Sequence, residues 1–183
     1  MSQRELTSVD RLLVEVDGML KTLARRGASA MRPSPAAGHS DGALSDRERK
    51  HSGGLMRVNH TGEVCAQALY QGQAMTAKSA GTRTEMQEAA QEEIDHLVWC
   101  EERLEELGTR PSVLNPLFYG ASLAMGAAAG LVGDSVSLGF VHATEERVAS
   151  HLRSHLKTLP ETDRKSQLIL QTMLEDEERH GEN

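Results

Sequence analysis

From residue 55 onward, apolar residues recur at steps of three and four through four successive stretches, and one glutamate interrupts each apolar row. That period belongs to the α-helix, so each row is the inward face of a helix and the glutamate on it faces a core. In the second stretch Met86, Ala90, Leu97, Cys100 and Leu104 flank Glu93, and in the fourth Leu170 and Met173 lead to Glu177 and His180. The first row carries Glu63 between Met56 and Tyr70, and the third carries Glu145 between Val141 and Val148. Breaks at Gly81, Gly108 and Pro160 predict helices over about 55–79, 82–107 and 117–159, the last kinked near Gly130 and Gly133, and a fourth from about Glu161. No stretch alternates with the period of a strand, which leaves an all-α fold.

The rest of the chain divides around these rows. Val9, Leu12, Leu13, Val16, Leu20 and Leu23 predict an amphipathic N-terminal helix within residues 1–27. Residues 28–54, rich in Gly, Ala, Ser and Pro, read as a flexible linker, and residues 55–183 as the bundle. Between Arg110 and Asp134 there is no charged residue, so the 117–132 segment is either a buried, closely packed helix or a surface that meets lipid. Asn115, Pro116, Ser122 and four glycines make it too weakly apolar to span a bilayer. The net charge is −7, and the basic residues are scattered among carboxylates instead of forming a patch, so nucleic acid is not an expected partner. Cys65 and Cys100 form no CxxC pair and read as small buried hydrophobes. The first residues mix both charges with no continuous apolar run, so an unprocessed protein on the cytoplasmic side is expected.

Four inward carboxylates in one core require positive charge, because a buried unpaired carboxylate costs several kcal/mol or becomes neutral. Two metal ions supply it, and the histidines fit. Glu93 with His96, and Glu177 with His180, form Glu-x-x-His on two helices, a spacing of nearly one turn that lets both side chains reach one metal. Together with Glu63 and Glu145 they make the ligand set of dinuclear carboxylate proteins, which predicts a ferritin-like four-helix bundle with an extra N-terminal amphipathic helix. Mixed oxygen and nitrogen ligands suit iron. Other residues near the motifs stay open. Glu146 competes with Glu145, and His60 and His142 stand three residues before a predicted ligand. Asp95 and Asp176 either orient imidazoles or face solvent, and Tyr70 is either beside the metals or an ordinary core residue.

The runs Met56-Arg57-Val58-Asn59-His60-Thr61-Gly62-Glu63-Val64, Gln91-Glu92-Glu93-Ile94-Asp95-His96, Thr144-Glu145-Glu146-Arg147-Val148 and Glu177-Glu178-Arg179-His180-Gly181-Glu182-Asn183 closely resemble the demethoxyubiquinone hydroxylase family of ubiquinone biosynthesis. The resemblance extends from Met56 to Asn183. It implies a dinuclear iron monooxygenase that uses dioxygen to hydroxylate the ring of a polyprenylated methoxy-methyl-benzoquinol, attached peripherally to the cytoplasmic face of the cell membrane. By matching position, Glu63, Glu93 and His96 would hold one iron, Glu145, Glu177 and His180 the other, with Glu93 and Glu177 bridging. His151 falls where such proteins place a histidine behind the ligands. Members of the family usually continue for another helical stretch after the His-Gly-Glu-Asn segment, so the last helix is expected to be cut short here.

On that reading the 117–132 segment offers the membrane surface and the isoprenoid tail an apolar groove. No glycine-rich dinucleotide fingerprint follows a strand, so NADH as external reductant must act through the quinone or through a partner reductase. Other proteins of ubiquinone biosynthesis are candidate partners. A ferritin-like iron oxidation or storage protein would use the same metal site, but its helix faces would be polar where residues 117–132 are not.

Overall fold

The computed structural model describes residues 7–181, without the side chains at 8, 9, 11, 12, 180 and 181. Six helices follow one another, α1 (Ser8–Leu23), α2 (Asp46–Thr76), α3 (Ala80–Glu106), α4 (Asn115–Val132), α5 (Asp134–Leu156) and α6 (Arg164–Gly181), with no strand among the described residues. Packing of α2 on α3, α3 on α6, α6 on α5 and α5 on α2 closes a ring of four helices, the bundle expected of a ferritin-like fold. The additional helices α1 and α4 both lie against α2.

Several boundaries differ from the expectation, each for a local reason. The second helix begins at Asp46 instead of near Leu55, because Ser45 and Glu48 form a reciprocal cap: Ser45 N donates to Glu48 Oε2 at 2.8 Å and Glu48 N to Ser45 Oγ at 3.3 Å. Gly53 within it lies so close to Thr109 that a Cβ would come 3.0 Å from the Thr109 methyl. The long helix expected over 117–159 is two helices meeting at Gly133. Asp134 holds that junction, its two carboxylate oxygens accepting from Lys78 N and Ser79 N at 2.9 Å each, which pins it to the α2–α3 turn.

The uncharged segment packs closely against α2 on one face of α4 and is exposed on another. Toward α2 the backbones nearly touch: a Cβ on Gly126 would come 2.1 Å from Leu69 O, and one on Gly72 2.3 Å from Leu123 O, so both positions need glycine. On the other face Leu117, Phe118, Met125, Leu131 and Val132 are exposed, and Val136 and Phe140 of α5 are exposed as well. Among the described residues no helix is long and apolar enough to cross a membrane.

The connection between α1 and α2 runs as a strap along α3 and α6. Met31 N donates to Asp95 at 2.6 Å, Gly42 N to Thr162 O at 2.9 Å and Lys165 N to Asp41 at 3.0 Å, while Ala36 is buried in the apolar core. The core of the described residues has three apolar parts: Val64, Ala68, Leu97 and Tyr119 make one, and two others bracket the glutamates. Met56, Trp99, Cys100, Leu104, Leu152, Leu170 and Met173 form one, and Ala66, Tyr70, Met86 and Val141 the other. Glu63 stands on α2 between Met56 and Tyr70, and Glu93 on α3 between Met86 and Cys100, so the glutamates occupy the level between two apolar layers.

Candidate metal centre

At that level the bundle brings Glu63 of α2, Glu93 and His96 of α3 and Glu177 of α6 together, with one donor atom from each inside a group whose members all lie within 4.8 Å of one another. All four residues are buried. His96 Nδ1 is 3.1 Å from Glu93 Oε2 and 3.8 Å from both Glu63 Oε2 and Glu177 Oε1. On the other edge of the ring, Nε2–H donates to Asp176 Oδ2 at 3.0 Å. With that edge committed to Asp176, Nδ1 is the nitrogen that faces the three carboxylates, the arrangement in which a carboxylate behind an imidazole orients it for a metal that would displace the Nδ1 proton. Asp176, left open by the sequence, is therefore the orienting group.

The electrostatics call for a cation. Burial first, and then the charge of Glu93, pushes the Glu63 carboxyl well above the usual range, with His96 pulling the other way. The same two causes push Glu177 up to about 9. Burial alone would lower His96, but Asp176, Glu93 and Glu63 outweigh it and raise it well above an ordinary histidine. Asp176, by contrast, is held below the usual carboxylate range, because hydrogen bonds from His96 and Arg32 outweigh its burial. Carboxyls that cannot all ionise beside one another, together with an imidazole aimed at them, are a donor set for hard to borderline metal ions. The residues present thus fit a metal.

Glu145 is buried on α5, and Glu177 and Tyr70 both feel its charge, whereas its neighbour Glu146 is exposed. Tyr70 is buried, and its hydroxyl is raised well above its usual range by burial and then by the charges of Glu93, Glu177, Glu145 and Glu63. His180 lies on α6 one turn beyond Asp176 and Glu177, and its side chain falls outside the described residues. His151, read from the sequence as either behind the ligands or on the surface, is exposed and sits edge-on to His155, with ring centroids 4.3 Å apart, while the buried His155 donates Nδ1–H to Asn59 Oδ1 at 2.9 Å. Of the two histidines that precede ligands, His142 is exposed and His60 turns toward α4, with Nδ1 accepting from Asn115 Nδ2 at 3.3 Å.

Arg32 was not singled out by sequence. It lies in the strap, donates to Asp95 and Asp176, and stands over Trp99. No local pattern announces it, since its partners are contributed by α3 and α6 and the contacts exist only once the strap is laid down.

A family model described as "Ubiquinone biosynthesis protein COQ7" matches residues 50–183. A curated protein of Pseudomonas aeruginosa (strain LESB58) named 3-demethoxyubiquinol 3-hydroxylase is 57% identical over 182 residues, which is 100% of this chain and 85% of the relative. Proteins of the same name from Ectopseudomonas mendocina (strain ymp) and Pseudomonas fluorescens (strain SBW25) are 57% and 56% identical, over 98% and 100% of the chain and 84% and 85% of their own lengths. With its family model covering the whole bundle and every motif read above, the chain belongs to the COQ7 family of ubiquinone biosynthesis.

Proposed function

We propose that this chain is a dioxygen-dependent di-iron monooxygenase that hydroxylates the ring of a polyprenylated demethoxyubiquinol. The observation that carries the reading is the buried group of Glu63, Glu93, His96 and Glu177 within 4.8 Å of one another, in a chain similar over its full length to proteins named 3-demethoxyubiquinol 3-hydroxylase. Glu63, Glu93 and His96 would hold one iron and Glu145, Glu177 and His180 the other, with Glu93 and Glu177 shared. Iron held there supplies the reduction of dioxygen and the delivery of one oxygen atom to an electron-rich ring.

The chain's own residues set the conditions for that chemistry. The two apolar layers above and below the carboxylates exclude water from the site, and burial with the charge of Glu93 favours the neutral forms of Glu63 and Glu177 until a cation arrives. Asp176 holds the proton on His96 Nε2 and leaves Nδ1 as the donor. Tyr70 closes the site on the side of the second apolar layer. The exposed row from Leu117 to Phe140 gives the chain an apolar surface, which supports peripheral docking at the membrane that dissolves a polyprenyl substrate. We assign the docked face to the cytoplasmic side and leave reduction to an external donor, NADH acting through the quinone or through a reductase.

Labelled dioxygen tests the reading. Iron-loaded protein supplied with a reductant and a demethoxyquinol analogue is expected to yield a ring-hydroxylated product carrying the label. Unlabelled product would assign the oxygen to water and end the monooxygenase reading. Dioxygen consumption with iron oxidation and no organic product would identify a ferroxidase instead.

A further inference from the structure

Arg32 lies outside the residues matched by the family model, yet it is tied to the carboxylate cluster through two helices. Its Nε donates to Asp95 Oδ2 on α3 at 2.7 Å, and its Nη2 to Asp176 Oδ2 on α6 at 2.8 Å. The second oxygen is the one that accepts His96 Nε2–H. The guanidinium also stands over Trp99, 4.8 Å from the ring centroid, and the Arg32 carbonyl accepts Trp99 Nε1–H at 3.3 Å. Trp99 in turn lies against the imidazole of His96, centroids 5.5 Å apart and planes inclined by 46°. Arg32 therefore touches both groups that bear on the outer side of the His96 ring, one that hydrogen-bonds its edge and one that packs on it.

We propose that Arg32 is a positioning residue for His96, acting through Asp176 and Trp99 to hold Nδ1 toward Glu63, Glu93 and Glu177, so that the strap preceding the bundle is a working part of the metal site. The proposal rests on the reading of His96 as a metal ligand. A planar guanidinium suits the task because its fork reaches two carboxylates on different helices while its face lies on an indole, which a lysine ammonium cannot do at once. Arg179 also pairs with Asp176, but it sits three residues away on the same helix, is exposed, and takes Oδ1, whereas Arg32 takes Oδ2, the oxygen that faces His96. When Arg32 is removed, Asp176 keeps Arg179 on Oδ1 and loses the cation that holds Oδ2 in line with His96.

Cobalt(II) alone serves as the probe, read by chelator competition for affinity and by its ligand-field absorption for geometry, on the full chain. Arg32→Ala is expected to bind cobalt about 10- to 100-fold more weakly than the parent, the range found for residues behind metal ligands, and with a shifted spectrum. Arg32→Lys should recover only part of the affinity. Arg25→Ala, which removes another strap arginine paired with Glu105 on the exposed side of α3, should change neither readout. If Arg32 acts through Asp176, Arg32→Ala combined with Asp176→Asn should weaken cobalt by much less than the sum of the two single effects. Unaltered affinity and spectrum in Arg32→Ala, an equal loss in Arg25→Ala, or full additivity with Asp176→Asn would overturn the proposal. A parent protein that is folded and binds no cobalt would overturn the metal reading beneath it, which is a distinguishable result.

Discussion

Two buried charge clusters span α3 and α6, and they are built on opposite principles. Near one end of the bundle Arg103, only 2% exposed, meets Asp41 and Asp163 through Nη2 and Glu106 through Nη1, all at 2.7 Å, and Ser166 through Nε at 2.9 Å. Lys165 adds a second cation at Glu106, 2.8 Å away. Asp163 also caps α6 by accepting Ser166 N at 3.0 Å. In the other cluster Glu63, Glu93 and Glu177 crowd one histidine, and burial with mutual repulsion drives two of the carboxyls toward neutrality. The first cluster finds its counter-charge within the chain and serves folding. The second is short of positive charge, a conflict that lowers stability in the metal-free protein and that a bound cation would relieve.

The largest expected effect separates these roles at the metal. Glu93→Ala, which removes the carboxylate whose charge acts on both Glu63 and Glu177, should reduce iron content from about two per chain to below one and abolish hydroxylation. Its metal-free form should be at least as resistant to heat as the parent. Metal analysis with calorimetry on the same samples checks both, and a metal-free Glu93→Ala protein that melts far below its parent would mean that the glutamates, too, are folding elements.

Arg103→Met probes the other side of the comparison. Removing the cation leaves Asp163 buried and uncompensated, so unfolding free energy should fall by about 3–5 kcal/mol, measured by denaturant titration. Iron per folded chain should stay at the parent value. Loss of iron from the folded variant would show that the two clusters are not separable.

The pH dependence of the metal-free protein gives an intermediate effect. Glu177 has a folded value near 9 against an ordinary 4.5, and Glu63 shifts the same way, so the folded state binds more protons than the unfolded one between these limits. Stability then falls as pH rises through that window. His96, raised above 6.5, contributes in the same direction. His60 and His155, both lowered to about 4 with burial as the first cause, oppose it only below their ordinary 6.5. From about pH 6.5 to 9 the metal-free protein should therefore lose melting temperature steadily, while iron-loaded protein, whose carboxylates stay ionised on the metal, should not. Parallel curves with and without iron would remove the charge conflict from the account of this site.

How much of this could be read from the sequence follows from the range of the interactions involved. A glutamate on an apolar row at helical period is a local pattern, and so Glu63, Glu93, Glu145 and Glu177 stood out, as did His96 through its spacing from Glu93. Asp176 could not be decided, because an aspartate beside a motif looks the same whether it meets water or the imidazole of another helix 80 residues away in sequence. Arg103 and Arg32 were invisible for the same reason, with partners 62 residues away at Asp41 and 63 at Asp95. The early start of α2 was legible in the Ser45 and Glu48 pair, but Gly53 and Gly54 weighed against a helix there until the close approach of Thr109 gave the first a reason. His151 adjoins Leu152, which fills the apolar row, and a helix turns 100° between neighbours, enough to carry the histidine to the surface, where it is exposed.

Asp41→Asn is the gentlest perturbation and asks whether the strap couples the two clusters. Asp41 is partly exposed, and it holds Arg103 with one oxygen and Lys165 N with the other. An asparagine keeps an acceptor for one of these and removes the charge, while Asp163 and Glu106 continue to neutralise Arg103. The expected loss is about 1 kcal/mol of unfolding free energy, the size of one ordinary hydrogen bond after solvent compensation, because Asp41 is partly exposed and Arg103 keeps two other carboxylates. Cobalt affinity should not change, since Arg32 is anchored separately by Asp95, Asp176 and Trp99 nine residues earlier in the strap. If Asp41→Asn weakens cobalt by tenfold or more, the strap moves as one piece, and the folding cluster and the metal cluster are a single device.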